Sequence, residues 1–353
     1  MSTKDNSTVT WIPTNPQYDA SEPMQVGGQA VIEGVMMRGR NAVATAVRRA
    51  DGAIVVEHLP YQPLTRRYRW LNIPILRGAV GLLEMLFLGI KSLNFSADVA
   101  LRDEELARQK KNEGGNSRNG KDRRKNSSDF SIAASLIAAL LVGVGLFFAA
   151  PLYLVTRFLA IEQTAFAFNL VTGLIRLTML IAYIAAISAM KDIRRLFAYH
   201  GAEHKSVFAF ELRADLVPDA VSVYSRFHPR CGTSFLLIVV AVAIVVFALL
   251  DAILIAIVGN ISLPIRLVVH LPLIPVVAGA AYEVVKASAR HTTSWWGRML
   301  IAPGLWLQRL TTKEPDAPQI EVALVALKCA LGLVDHRQYV FQRSVPAIEE
   351  SRP

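Results

Sequence analysis

The chain has 353 residues, 53% of them hydrophobic, a formal net charge of +10 and a mean hydropathy of +0.36. Soluble domains are already about 45–50% apolar, so composition alone only hints at a membrane, and the basic balance fits nucleic acid, anionic lipid or simple topology signalling. The two cysteines, Cys231 and Cys329, stand far apart in unlike contexts. That argues against a disulfide framework and fits a reducing compartment.

Residues 1–23 are polar, carry Pro13, Pro16 and Pro23, and lack an apolar stretch of the signal-peptide kind. They are expected to form a disordered tail. Residues 24–70 read as a small β unit. Ala42–Arg49 and Ile54–Leu59 flank Asp51-Gly52, a favourable hairpin turn. Gln29–Met37 reads as one preceding strand opened by Gly27-Gly28. Within 71–98, the apolar stretch Ile75–Leu93 is broken by Arg77, Glu84 and Lys91, which predicts an amphipathic, interfacial helix, with a membrane-dipping segment as the alternative. Residues 99–131 read as a basic flexible linker, charged and rich in Gly, Asn and Ser over 107–130.

Between residues 132 and 290, four segments are long enough to cross a bilayer: about Ile132–Val155, Ala165–Met190, Phe235–Val258 and Ser262–Ala287. About 24 helical residues reach about 36 Å, against a hydrocarbon core of about 30 Å. Four such runs are hard to bury in a soluble protein. The expected fold class is therefore a membrane α-helical protein with four transmembrane helices, a small N-terminal cytoplasmic β unit and a C-terminal cytoplasmic helix. Within 291–340, Trp295, Trp296 and Trp306 with Arg298 suggest a headgroup-level helix, kinked or broken at Pro303. Ile320–Leu333 follows as an amphipathic cytosolic helix, and 341–353 is a tail.

Lys and Arg set the expected orientation. Nine basic residues lie between Arg102 and Lys125, and Lys191, Arg194, Arg195, Lys205, Arg213, Arg226 and Arg230 fall in the loop 191–234. The other two loops are nearly bare. The positive-inside rule places both termini and the long loop in the cytoplasm of a bacterial-type inner membrane. Inside the spans, Arg176 and Asp251 fall at similar depth, with His270 nearby. Unpaired charge is costly there, so Arg176 is expected to pair with Asp251.

The chemistry concentrates in that loop. Tyr199–Lys205 contains H-x-x-E-H. On a helix, His200 and His204 lie one turn apart on one face and can reach one metal ion, with Glu203 placed as a general base. The plain alternative is a pair of polar residues at a helix end near headgroups, and Gly201 weakens the helix slightly. A second cluster, His228-Pro229-Arg230-Cys231, stands just before the third span and adds two zinc-type donors, His228 and Cys231. Cys231 also reads as a small buried residue at a helix entry. Glu283, near the cytoplasmic end of the fourth span, is a further metal candidate. In the glycine-rich stretch Gly27–Gly39, Glu33 and Arg38 are candidates to bind a substrate or to pair with each other, with a purely architectural segment as the plain alternative.

The stretches G-G-Q-A-V-I-E-G-V-M-M-R-G, Y-H-G-A-E-H-K, H-P-R-C-G-T-S-F and L-Q-R-L-T-T-K-E-P resemble the YqhQ-like family over about residues 25–335. That family, of unknown function, is commonly catalogued as predicted metal-dependent membrane enzymes. The resemblance implies metal binding at His200, His204 and nearby residues.

The sequence thus suggests a metal-dependent, hydrolytic enzyme at the cytoplasmic membrane surface, with a divalent metal, Zn²⁺ by ligand type, at His200, His204 and among His228, Cys231 or Glu283. The site lies in a short membrane-flanked loop, so peptidase activity is not carried over. The alternative is a biogenesis or assembly factor whose basic face contacts a ribosome, translocon or other membrane protein, with nucleic acid as a weaker partner. The lipid bilayer is the expected partner in every case.

Overall fold

The computed structural model describes residues 26–113, 129–159, 161, 164–290 and 294–339. The tails expected at 1–23 and 341–353, and residues 114–128 of the expected linker, lie outside the described residues.

Four strands form an antiparallel meander in the order β1-β2-β3-β4: β1 Gly27–Val31, β2 Gly34–Arg38, β3 Ala42–Arg48 and β4 Ile54–Pro60. The hairpin at Asp51-Gly52 forms as expected, and Gly52 takes φ +89°. The single strand expected over Gln29–Met37 is instead two, folded back at Ile32-Glu33. Glu33 turns the chain at φ +51°, and Gly34 is required because a Cβ there would meet the Ala46 carbonyl.

Helix α1 (Leu64–Arg67) and a 3₁₀ turn at Arg69–Asn72 lead into α2 (Leu76–Glu113). The latter is one 38-residue helix, so the expected interfacial helix continues through the first part of the expected linker. Next come α3 (Asp129–Val144), a π-helical turn at Gly145–Ala149, α4 (Ala150–Phe158), α5 (Ala165–Ser188), α6 (Lys191–Glu211) and α7 (Pro218–Ser222). They are followed by α8 (Gly232–Val258), α9 (Leu263–His270), a 3₁₀ turn at Leu271–Leu273, α10 (Ile274–Arg290), α11 (Trp295–Thr311) and α12 (Ala317–Leu331). A last 3₁₀ turn covers His336–Tyr339.

Four stretches are long and apolar enough to cross a membrane: Ile137–Phe158, Ala165–Ser188, Phe235–Val258 and Leu263–Ser288. They pack around Phe148, Leu152, Phe168, Phe247 and Val277. Their polar centre holds Asp251 with His270 beside it, as expected, but the expected cation, Arg176, is not its partner. Asp251 bonds His270 Nε2 at 2.8 Å and Asn169 Nδ2 at 2.7 Å, and Arg266 Nη1 lies 3.2 Å away. Arg176 instead donates to the Phe148 carbonyl at 3.4 Å and stacks on that ring. The reason is register. Asp251 faces Asn169, and Arg176 lies two turns further along α5, about 10 Å away by helical rise. The nearer cation is Arg266, in the first turn of α9.

The rest forms a separate head. One sheet face packs against α2, where Thr45 bonds Ser92 at 2.9 Å. The other packs against α6 and α12 around Val35, Met37, Ala44, Tyr199, Ile320 and Leu324. Helix α12 was expected to be amphipathic but is buried along nearly its whole length. Only helices covered on all sides are apolar all round, and the run Ile320–Leu331 contains just two charged residues, Glu321 and Lys328. Its ends are well specified. Asp316 and Gln319 form a capping box, Pro318 sits in the first turn, and Gly332 closes the C-terminus at φ +71°. Helix α11 runs through Pro303 without being broken.

Candidate metal centre

Helix α6 begins two residues after α5 ends, so it continues a candidate span directly into the head. It presents His200, Glu203 and His204 on neighbouring faces. The His228–Cys231 loop ends where Cys231 caps α8, its sulfur accepting from the Thr233 amide at 3.5 Å and hydroxyl at 3.4 Å. A helix N-terminus favours negative charge at such a position. From Cys231 to the apolar stretch at Phe235 is four residues, about 6 Å of helix.

These elements bring His200, His204 and Cys231 together, with one ligand atom from each lying within 4.8 Å of the others. His200 Nε2 stands 3.3 Å from Cys231 Sγ. Two donors at zinc distances, about 2.0–2.1 Å for N and 2.3 Å for S, are separated by about 3.5 Å at a tetrahedral angle, so the spacing fits.

The far side of each ring fixes its tautomer. His200 Nδ1 donates to the Thr311 carbonyl at 2.8 Å, and His204 Nδ1 donates to the Arg226 carbonyl at 2.6 Å. In the neutral rings the lone pair then sits on Nε2, the arrangement that orients ligating histidines. His204 Nε2 is buried with no hydrogen-bond partner, which costs about 1–3 kcal/mol if nothing fills the place.

Glu203 completes the convergence. Its Oε1 accepts the Gly28 amide at 3.0 Å, leaving Oε2 at 3.9 Å from both histidine Nε2 atoms. Two imidazole nitrogens and a thiol sulfur thus lie within reach of one ion, with a buried carboxylate beside the two rings.

The other candidates fall elsewhere. His228 adjoins His204, with ring centroids 5.7 Å apart. Its Nδ1 accepts the Arg230 amide at 3.3 Å, so its Nε2 carries the proton and faces Glu211 at 3.5 Å. Burial holds the His228 imidazole below its usual range, opposed by the nearby Glu203 carboxylate. Glu283 is held by Arg77 of α2, with Nε to Oε1 at 2.7 Å, and does not join the cluster. Glu33 and Arg38 do not pair with each other. Glu33 pairs with Arg195 and accepts the Tyr199 hydroxyl at 3.2 Å, while Arg38 donates to Met85 Sδ at 3.2 Å. Burial and the facing Glu33 carboxylate push the Tyr199 phenol well above its usual range.

Several supporting residues were not identified from sequence. Gln308 of α11 clamps the His228 backbone from both sides, accepting from its amide and donating to its carbonyl at 2.8 Å each. Thr311 and Arg226 contribute only carbonyls, which no side-chain pattern reveals. Gly201 has a specific role: a Cβ there would strike the Lys313 carbonyl, and Lys313 N bonds the Phe197 carbonyl at 2.8 Å. The helix-weakening glycine is therefore what lets the Thr311–Lys313 segment lie against α6.

The chain matches, over residues 73–333, the family described as "Protein of unknown function (DUF1385)". It is 34% identical over 315 residues to "Uncharacterized protein YqhQ" of Bacillus subtilis (strain 168), covering 88% of this chain and 93% of that protein. No solved structure matches it. By both matches the chain belongs to the YqhQ-like, DUF1385 family of unknown function.

Proposed function

We propose that this is a multi-pass membrane protein carrying a metal-dependent hydrolytic site at the cytoplasmic membrane surface. The observation that carries the reading is the convergence of His200 Nε2, His204 Nε2 and Cys231 Sγ, with both Nδ1 atoms engaged by backbone carbonyls. Three protein donors suit a catalytic zinc site, which keeps a position open, better than a closed structural one. A zinc ion there would supply Lewis acidity. Glu203 Oε2 is the proton acceptor, held in place because Gly28 occupies the other oxygen. His200 and His204 are kept in one tautomer by Thr311 and Arg226. The short step from Cys231 to Phe235 supports a site at headgroup level, with a substrate at the membrane surface. The orientation rests on the basic residues of 191–230 set against the nearly bare loops on the other side.

The test is Glu203→Gln in the purified full-length protein, assayed against a panel of phosphoester, ester and amide substrates. Metal content should match wild type while hydrolysis falls by about 10²–10⁴-fold. Equal rates in the two proteins would remove Glu203 from the chemistry.

A further inference from the structure

The four candidate spans do not account for all the lipid-like surface of the protein. Helix α2 has three faces. Met85, Gly89, Ser92 and Val99 meet the sheet. Near its start it lies along α10, where a Cβ on Gly78 would strike Tyr282 and one on Gly279 would strike the Ile75 carbonyl. Arg77 and Glu283 close that contact. The third face is uncovered, and its chemistry changes along the helix. Leu83, Leu86, Phe87 and Leu93 are exposed at i, i+3, i+4 and i+10, with Phe87 70% exposed. From Asn94 onward the exposed residues include Asp98 and all of Glu104–Arg108, with Leu101 and Leu106 as the large apolar residues among them. Leu83 to Leu93 is about 15 Å of helix; within it Lys91 is exposed too, and a lysine stem lies along apolar surface while its ammonium reaches the headgroups.

The segment just before α2 supplies the polar edge. Trp70 is 68% exposed beside exposed Arg66, Arg67 and Arg69. Among the described residues none of these three arginines has a carboxylate partner, and the turn is tied to α2 by the Leu64 amide on Glu84 at 2.8 Å. Aromatic rings and basic residues at the border of an apolar face mark a membrane interface.

We propose that Leu76–Leu93 lies in the cytoplasmic leaflet as an amphipathic anchor continuous with α10, and that Arg66, Arg67 and Arg69 bind anionic lipid headgroups. The helix leaves the lipid near Asn94. The anchor clamps the sheet, and with it Gly28 and Glu203, onto the bilayer surface. The leaflet named here follows from the orientation proposed above, but the depth profile does not depend on it.

The test uses the full-length protein in phosphatidylcholine/phosphatidylglycerol nanodiscs, spin-labelled at Leu86→Cys, Phe87→Cys or Arg102→Cys, with the signal of the parent protein subtracted. Collisions with oxygen should dominate at 86 and 87, and collisions with a polar nickel chelate at 102. Equal nickel accessibility at all three positions overturns the anchor. So does spin–spin broadening at 86 and 87 that disappears on dilution with unlabelled protein, since the face would then cover a second copy. For the headgroup contact, each basic residue is worth about fivefold, so Arg66→Ala/Arg67→Ala/Arg69→Ala should lower phosphatidylglycerol binding by about 100-fold, and the triple lysine variant should restore most of it. Equal binding by wild type and the alanine variant overturns that half. Metal content measured on the same samples keeps a failure of the metal centre separate from a failure of the anchor.

Discussion

Replacing Gly201 by alanine adds one methyl group and removes no ligand, yet it should disable the metal centre. Two effects oppose each other. In a helix interior, alanine is favoured over glycine by about 1 kcal/mol, so a freely exposed Gly201 would make the variant more stable. Here the new Cβ would meet the Lys313 carbonyl and crowd the Pro315 ring. Both belong to backbone threaded between α11 and α12, so neither can swing aside as a side-chain tip would. Overpacking of this kind costs about 1–3 kcal/mol, which outweighs the propensity gain through most of its range. Relief comes by moving residues 311–315 away from α6, and Thr311 is the residue whose carbonyl holds His200 Nδ1. Loss of such an orienting partner typically lowers metal affinity by about 10–100-fold. The assay is a chelator competition titration with zinc on the detergent-purified variant, with thermal unfolding of the metal-free protein alongside. Weaker metal binding by about that factor, with lower apo stability, is expected. A variant that gains about 1 kcal/mol and binds zinc like wild type would refute the reasoning, because Gly201 would then be an ordinary helix glycine.

Three other outcomes follow from the same geometry. Asp251→Asn or Arg266→Ala should cost about 3–5 kcal/mol, since each removes one member of a fully buried ion pair. The combined exchange Asp251→Arg with Arg266→Asp should recover part of that loss in a thermal assay, whereas exchange with Arg176 should recover none. Burial, with Asp335 adding to it, pushes the Cys329 thiol up to about 12, so it should resist alkylation in the folded protein at pH 8, and Cys231 should react only after chelation. Because the folded value lies above the ordinary 9.0, the stability this thiol contributes is complete below pH 9 and declines as pH rises from there toward 12; a Cys329→Ala variant should lack that decline in denaturant titrations. A reporter fused after Asn260 should read outside and one after Asp219 inside; the reverse would invert the proposed topology.

What the sequence disclosed divides by the range of the interactions involved. The four apolar stretches, the Asp51-Gly52 hairpin and the H-x-x-E-H spacing are local patterns, and each reappears within a few residues of its expected position. Partner choice across long separations was less legible. Depth alone matches Asp251 with His270, which holds, and with Arg176, which does not: a shift of two turns along α5 gives Asp251 to Asn169 and Arg266 instead. Glu283 carried a correct signal, a carboxylate that needs a partner, but the partner came from α2 more than 200 positions earlier. Helix α12 was misjudged because its few polar positions hint at a solvent face, while the sheet and α6 together cover it. The backbone donors and acceptors of the candidate metal centre, at Gly28, Arg226 and Thr311, leave no trace in side-chain pattern at all.

The measurement that bears most directly on the metal centre is elemental analysis of the full-length protein beside its His200→Ala/His204→Ala variant, both purified in detergent without chelator. One zinc or similar divalent ion per chain is expected in the wild type and essentially none in the variant, with both proteins monodisperse and equally helical. Equal metal content in the two, or none in either after incubation with zinc, would contradict the account.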